Sequence, residues 1–236
     1  MISIIIPTYN EEKYLPLLLR TIKKQSFKDY EIIVADNNST DKTRDVAKKF
    51  NCKVTSGGLP AKGRNQGAKV AKGDILLFLD ADVYLPSEFL RRSILEFNRR
   101  KLDAASYKIV PKKGSKLVKG GFDVLYNWPA YISQGFLPYG AMGIMVKRDI
   151  FDKIKGFDEN IRIAEDHYFV RQTAEIGKFG ILTSTKLLIS LRRFEQDGYT
   201  KTLGKYLAAA VYMLSGKPIK KGIDYKFGHY TNRKEK

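Results

Sequence analysis

The sequence is poor in residues that build covalent or metal staples. Among 236 residues it has one cysteine, Cys52, and two histidines, His167 and His229. A lone cysteine excludes an internal disulfide framework and any zinc site assembled from several thiolates. No apolar run approaches the roughly 18 residues that a membrane span needs. Met1 leads straight into Ser3-Ile4-Ile5-Ile6 without a basic leader or a small-residue cleavage site, so a cytoplasmic protein is expected. Acidic residues are scarce beside basic ones, 25 against 43, a formal charge of +18. Such a surplus suits an anionic membrane face, phosphorylated substrates or nucleic acid, or is simply a solvated lysine surface. The lysines are dispersed and no nucleic-acid motif accompanies them, so nucleic acid is not an expected partner.

What is present is enough apolar material, 43% of residues, for one buried α/β domain. Ile2–Ile6 is a β-branched run ended by Pro7, which reads as a buried strand. Leu15, Leu18, Leu19 and Ile22 then form a helical stripe. Residues 31–35 make a second strand ending at Asp36, and a helix to about Phe50 follows, capped by Thr40 or Asp41. Cys52–Val54 reads as a short strand, Lys62–Ala71 as a helix, and Ile75–Leu79 as a strand that stops at Asp80-Ala81-Asp82. This alternation predicts a parallel sheet with right-handed crossovers, whose ligands sit beyond the carboxyl ends of the strands. Pro7-Thr8-Tyr9, Asp36 and Asp80/Asp82 all fall at such ends.

The second half is more mixed. Helices are expected over residues 87–100, 117–133 and 165–175, and strands over 104–110 and 143–146. Two short strands are expected near Ile181 and Leu188, and a last periodic helix over 202–214. The domain is therefore drawn at residues 1–195, with a basic amphipathic helix and tail over 196–236. Leu203, Leu207, Ala210, Val211 and Leu214, rimmed by lysines, fit either a helix docked on the domain or one lying on an anionic bilayer.

Two carboxylates one residue apart on a turn, Asp80 and Asp82, can approach a hard divalent cation together. In a phosphate site that cation offsets charge on a departing diphosphate; elsewhere such a pair is a solvated turn. Asp36 suits hydrogen bonds from a base or ribose, and equally suits capping of Asn37-Asn38-Ser39. Lys62-Gly63-Arg64 puts cations at a helix start, where phosphate oxygens or plain solvent are the alternatives. Glu165-Asp166 supplies a third acidic group, and neighbours on a helix diverge by about 100°. One of the two can serve as a base for an acceptor hydroxyl; otherwise both only favour the helix dipole.

The ordered set Ile4-Ile5-Ile6-Pro7-Thr8-Tyr9-Asn10-Glu11, Glu31 to Asp41, Arg64-Asn65-Gln66-Gly67, Asp80-Ala81-Asp82, Gly156-Phe157-Asp158-Glu159 and Glu165-Asp166 resembles glycosyltransferase family 2 over roughly residues 1–195. The resemblance implies a GT-A fold, an α/β architecture with a mostly parallel, Rossmann-like central sheet flanked by helices. It also implies a nucleotide diphosphate sugar as donor, UDP-linked by default and GDP-linked second, Mn²⁺ or Mg²⁺ as cofactor, and inversion at the anomeric carbon. By position, Pro7, Thr8, Tyr9 and Glu11 would line the nucleotide pocket and Asp36 would contact the base. Arg64 would lie near the base or diphosphate, Asp80 near ribose and metal, Asp82 on the metal, and Asp166 would be the base. Glu165, Trp128, Arg192 and Arg193 are candidates for the acceptor or diphosphate, the acceptor being a glycan or a lipid-linked molecule. Val83-Tyr84 stands where lipid-phosphate sugar synthases of the family often place another metal-binding side chain.

Other chemistries fit less well. A haloacid-dehalogenase phosphatase would want Thr or Val at Tyr84, and a nucleotidyltransferase or a nicotinamide-dependent dehydrogenase would want a glycine-rich turn after the first strand. A silent sugar-nucleotide-binding protein of the same fold is the remaining alternative.

Overall fold

The computed structural model describes residues 1–161, 164–192 and 198. Strand β1 (Ile2–Thr8) lies between β2 (Tyr30–Asp36) and β4 (Ile75–Leu79), and β3 (Lys53–Ser56) flanks β2; all four run parallel. Between them run α1 (Leu15–Lys23), α2 (Thr43–Lys49) and α3 (Pro60–Val70). Helix α1 begins with a proline in its first turn, where no backbone donor is needed, and sinks Leu15, Leu18, Leu19 and Ile22 completely. Each such side chain contributes on the order of 2 kcal/mol of transfer free energy.

Helix α3 approaches β1 more closely than a side chain would permit. A Cβ on Gly67 would stand 2.3 Å from Ile5 Cγ2, and one on Gly63 would stand 3.0 Å from Pro7 Cβ. Glycine at these two positions thus sets the distance between helix and sheet, and with it the position of Arg64.

Beyond β4 the expected parallel pattern gives way. The order is β3-β2-β1-β4-β7-β6-β8-β5, an eight-stranded sheet. Strand β7 (Gly143–Lys147) is antiparallel to both β4 and β6 (Ala104–Pro111). The sheet remains mostly parallel because β8 (Phe179–Ile189) runs alongside β6. The short β5 (Val83–Tyr84), which composition did not reveal, pairs with the end of β8.

The two strands expected near Ile181 and Leu188 are one strand with a bulge. Tyr107 pairs with Leu182 and the next residue, Lys108, with Lys186. The amides of Thr183 and Ser184 in the bulge are taken up by the buried carboxylate of Glu96 on α4 (Phe89–Arg99). That side chain supplies the partners the ladder loses.

The connection from β6 to β7 is helical: α5 (Lys116–Phe122), a π-helical turn (Asp123–Asn127) and α6 (Trp128–Ser133). Helices α7 (Arg148–Lys153) and α8 (Glu165–Ile176) complete the described elements. Phe78, Phe151 and Phe157 pack against Phe169 of α8, with Phe157 stacked on it at 3.9 Å. Among the described residues no helix is long and apolar enough to cross a membrane. The expected carboxyl-terminal helix lies outside the described residues.

Candidate functional site

At the carboxyl ends of β1 and β2 the chain is tied by short polar contacts. Thr8 donates to Asp36, which also accepts from the Ser39 amide at 3.0 Å and from the Ser39 hydroxyl. Asp36 is buried, with Arg44 Nε 3.6 Å away. Its carboxylate thus organises the Asn37-Asn38-Ser39 turn, the local role open to it in the sequence. Asn10, in the left-handed region at φ 54°, accepts from the Thr40 amide, and Thr43 Oγ1 accepts from the Glu11 amide at 2.7 Å. These bonds fix Pro7, Thr8, Tyr9 and Glu11 along the edge of the sheet.

Two arginines gather the acidic residues. Arg64, buried on α3, donates to Glu165 at 2.6 Å through one terminal nitrogen and to Asp80 at 3.0 Å through the other. Its guanidinium lies 5.3 Å from the Phe157 ring centroid. Arg192 donates to both oxygens of Glu11 at 2.7 Å, and its Nε stands 2.8 Å from Asp82. Tyr14 lies beneath that guanidinium at 4.5 Å. Glu11, Asp80, Asp82 and Glu165 thus converge although the sequence spreads them over 155 residues. Charges withdrawn from water in this way demand partners, and forked guanidinium groups supply them.

The Gly156-Phe157-Asp158-Glu159 segment is held against α3 by Asn65. Asn65 accepts from the Phe157 amide at 2.9 Å and donates to the Phe157 carbonyl and the Glu159 carboxylate. Gly156 has φ 77°, and a Cβ there would stand 2.6 Å from Asn65 Oδ1. Glycine is therefore required on two counts. Ala164, just before Glu165-Asp166, is also left-handed at φ 59° and turns the chain into α8.

Asp166 sits close enough to Arg64 and Asp80 for their charges to act on it. Burial pushes its carboxyl up to about 6, with Arg64 opposing and Asp80 reinforcing that rise. Burial likewise raises Glu165 against the pull of Arg64. His167 is pushed down to about 4 by burial and packs on Tyr139 at 5.7 Å, so it is a neutral, enclosed side chain.

Trp128 is 65% exposed on the β6–β7 insertion. Its neighbour Tyr126 packs inward on Tyr139. Arg193 lies outside the described residues. Sequence reasoning missed the roles of Asn65, Phe157, Thr43, Tyr14 and Tyr139; only the first two stood within a motif it singled out.

Asp80 and Asp82 each commit one oxygen to an arginine, Oδ1 and Oδ2 respectively. Among the described residues no three His, Cys, Asp or Glu side chains form a closed metal cage. An open pair of carboxylates fits Mg²⁺ or Mn²⁺, which complete their shells with water and substrate phosphates. The donor set fits a cation shared with a diphosphate better than one enclosed by protein.

The family model described as glycosyl transferase family 2 matches residues 3–152. The chain is 41% identical over 183 residues to poly(ribitol-phosphate) β-N-acetylglucosaminyltransferase TarS of Staphylococcus aureus, covering 71% of this chain and 31% of that relative. It is 34% identical over 168 residues to a dolichol-phosphate mannosyltransferase of Pyrococcus furiosus, covering 66% of this chain and 45% of the relative. The chain thus spans less than half the length of either. Among solved structures, S. aureus TarS 1–349 in complex with UDP-GlcNAc superimposes with a TM-score of 0.66 at 24% identity, over 80% of this chain and 58% of that one. That likeness shows the fold.

Proposed function

The chain belongs to glycosyl transferase family 2 and has the GT-A fold, and we propose that it moves a sugar from a nucleotide diphosphate donor to an acceptor hydroxyl with inversion. The observation that carries this reading is the convergence of Asp80, Asp82, Glu165 and Asp166 around Arg64 and Arg192 at the ligand edge of the sheet. UDP is the preferred nucleotide because the relative at 41% identity is an N-acetylglucosaminyltransferase whose solved form binds UDP-GlcNAc; GDP is second. The relatives' names point to polyol-phosphate or lipid-phosphate acceptors.

In this reading the nucleotide lies along Pro7, Thr8, Tyr9 and Asp36. Asp80 and Asp82 would hold Mn²⁺ or Mg²⁺, which supplies Lewis-acid stabilisation of the diphosphate. Asp166 accepts the proton of the acceptor hydroxyl as its oxygen bonds to the anomeric carbon and the bond to diphosphate breaks. A carboxyl near 6 is mostly ionised at neutral pH yet more basic than an ordinary aspartate, which suits that role. Arg64 positions the base by pinning neighbouring Glu165 at the start of α8.

Nucleotide release from UDP-, GDP- and dTDP-sugars, with Mn²⁺ and with EDTA, tests the reading. Metal-dependent hydrolysis of one donor class supports it. Absence of nucleotide binding by calorimetry, with or without Mn²⁺, would overturn it.

A further inference from the structure

The insertion between β6 and β7 carries an apolar face that none of the described residues covers. Leu117, Val124, Leu125, Trp128, Ile132 and Phe136 are each between 61% and 85% exposed. Steps of seven, four and four residues set Leu117, Val124, Trp128 and Ile132 on one side of the helical segment, with Leu125 beside Val124 at its margin. Asn127 and Ala130 are buried on the opposite side. Apolar groups massed in this way mark an interaction surface.

Charge selects the occupant. Residues 108–136 contain Lys108, Lys112, Lys113, Lys116 and Lys119 but only one acid, Asp123. That carboxylate already accepts from Asn127 at 2.8 Å. A second copy of the chain would bring the same lysines and a net charge of +18. Residues 201–221 would bring Lys201, Lys205, Lys217, Lys220 and Lys221. Either partner meets this basic segment with repulsion. An anionic bilayer meets it with attraction, accepts the aliphatic side chains at its acyl boundary and seats Trp128 and Tyr131 among the headgroups.

We propose that this face docks the protein on an anionic lipid surface. The inner side of the insertion leads to the site. Asn127 exchanges hydrogen bonds with both backbone groups of Ile109, and Tyr139 donates to the Tyr126 carbonyl while packing on His167, the neighbour of Asp166. Docking here therefore sets the base beside the bilayer. On the functional reading above, on which this step rests, the acceptor is a hydroxyl-bearing molecule held at that surface.

Trp128 is the only tryptophan of the chain, so its emission reports the contact directly. The full chain is mixed with vesicles of phosphatidylcholine alone or with phosphatidylglycerol added. The expected result is a blue shift and protection from acrylamide only with the anionic vesicles. Leu125→Glu combined with Ile132→Glu, both at exposed positions, should lower partitioning by roughly tenfold or more. Solution donor hydrolysis should stay unchanged, and Leu207→Glu should leave partitioning within about twofold.

Unshifted emission with anionic vesicles would overturn the proposal. So would loss confined to Leu207→Glu, or a blue shift that tracks protein concentration without lipid, the sign of a second copy. Donor hydrolysis without vesicle binding sinks this proposal alone; vesicle binding without nucleotide binding or hydrolysis sinks only the functional reading.

Discussion

Arg192 meets Glu11 with both terminal nitrogens, each 2.7 Å from a carboxylate oxygen, across 181 residues of sequence. Both side chains are less than a tenth exposed. Glu11→Ala therefore leaves a buried guanidinium with Asp82 as its remaining acidic partner. Urea denaturation should show a loss of about 3 kcal/mol, and Glu11→Gln, which keeps one acceptor, should lose less. A change within about 0.5 kcal/mol would mean that the pair is idle.

Asp166→Asn should lower turnover by about 10²- to 10⁴-fold while leaving donor affinity nearly intact, because a base acts on the chemical step. The same substitution should raise the melting temperature at pH 7.5. The folded carboxyl is raised from 3.8 to about 6, so its contribution to stability is complete below about pH 4 and is lost as pH climbs through 6. At neutral pH the buried charge costs on the order of 2–3 kcal/mol, which an amide avoids. A variant less stable than wild type would contradict this account.

The pH profile of kcat should fall on the acid side with a limb at or below about 6, since a bound cation draws a nearby carboxyl downward. His167, pushed down to about 4, stays neutral above that range. A limb that persists in Asp166→Asn would assign the titration to another group.

Removal of divalent metal with EDTA should abolish turnover, and Mn²⁺ should restore it. Asp82→Ala should resist that restoration, with kcat reduced by roughly 10²-fold or more. Calorimetry of nucleotide binding with and without Mn²⁺ separates a lost cation from a collapsed pocket. Equal nucleotide affinity in both conditions would remove the metal from donor binding.

Gly156→Ala should damage both stability and activity. A methyl there faces Asn65 Oδ1 at 2.6 Å and must adopt φ 77°. A loss of about 1–3 kcal/mol in thermal unfolding is expected, with slower turnover as Asn65 releases the approach to α8. Retention of both properties would show the left-handed turn to be dispensable.

Strands β1, β2 and β4 were legible because each is a buried, mainly apolar run that ends in or just before a polar residue at the ligand edge. Ile75–Leu79 stopping at Asp80 is the clearest instance. The reversal at β7 was not legible, since Gly143–Lys147 is apolar and buried whichever way it runs. The bulge in β8 was read as a break because its polar residues 183–185 look like a turn until Glu96 is seen accepting from Thr183 and Ser184.

The acidic members of the site stood out by spacing and by family resemblance, but their partners did not. Arg64 was expected near a phosphate or base, and the structure gives its nitrogens to Glu165 and Asp80. Long-range pairing of that kind leaves no periodic trace in a chain. Asp36 could cap or bind, and its bonds to Thr8 and Ser39 show the capping.

The insertion between β6 and β7 is tied to the sheet by two side-chain amides: Asn127 grips the amide and carbonyl of Ile109, and Gln134 accepts from the Ile181 amide. A piece fastened by such neutral ties is separable from the ionic framework behind it. Enzymes sharing this scaffold could trade that piece, and so change where they work and on what, while the machinery that handles the nucleotide goes on untouched.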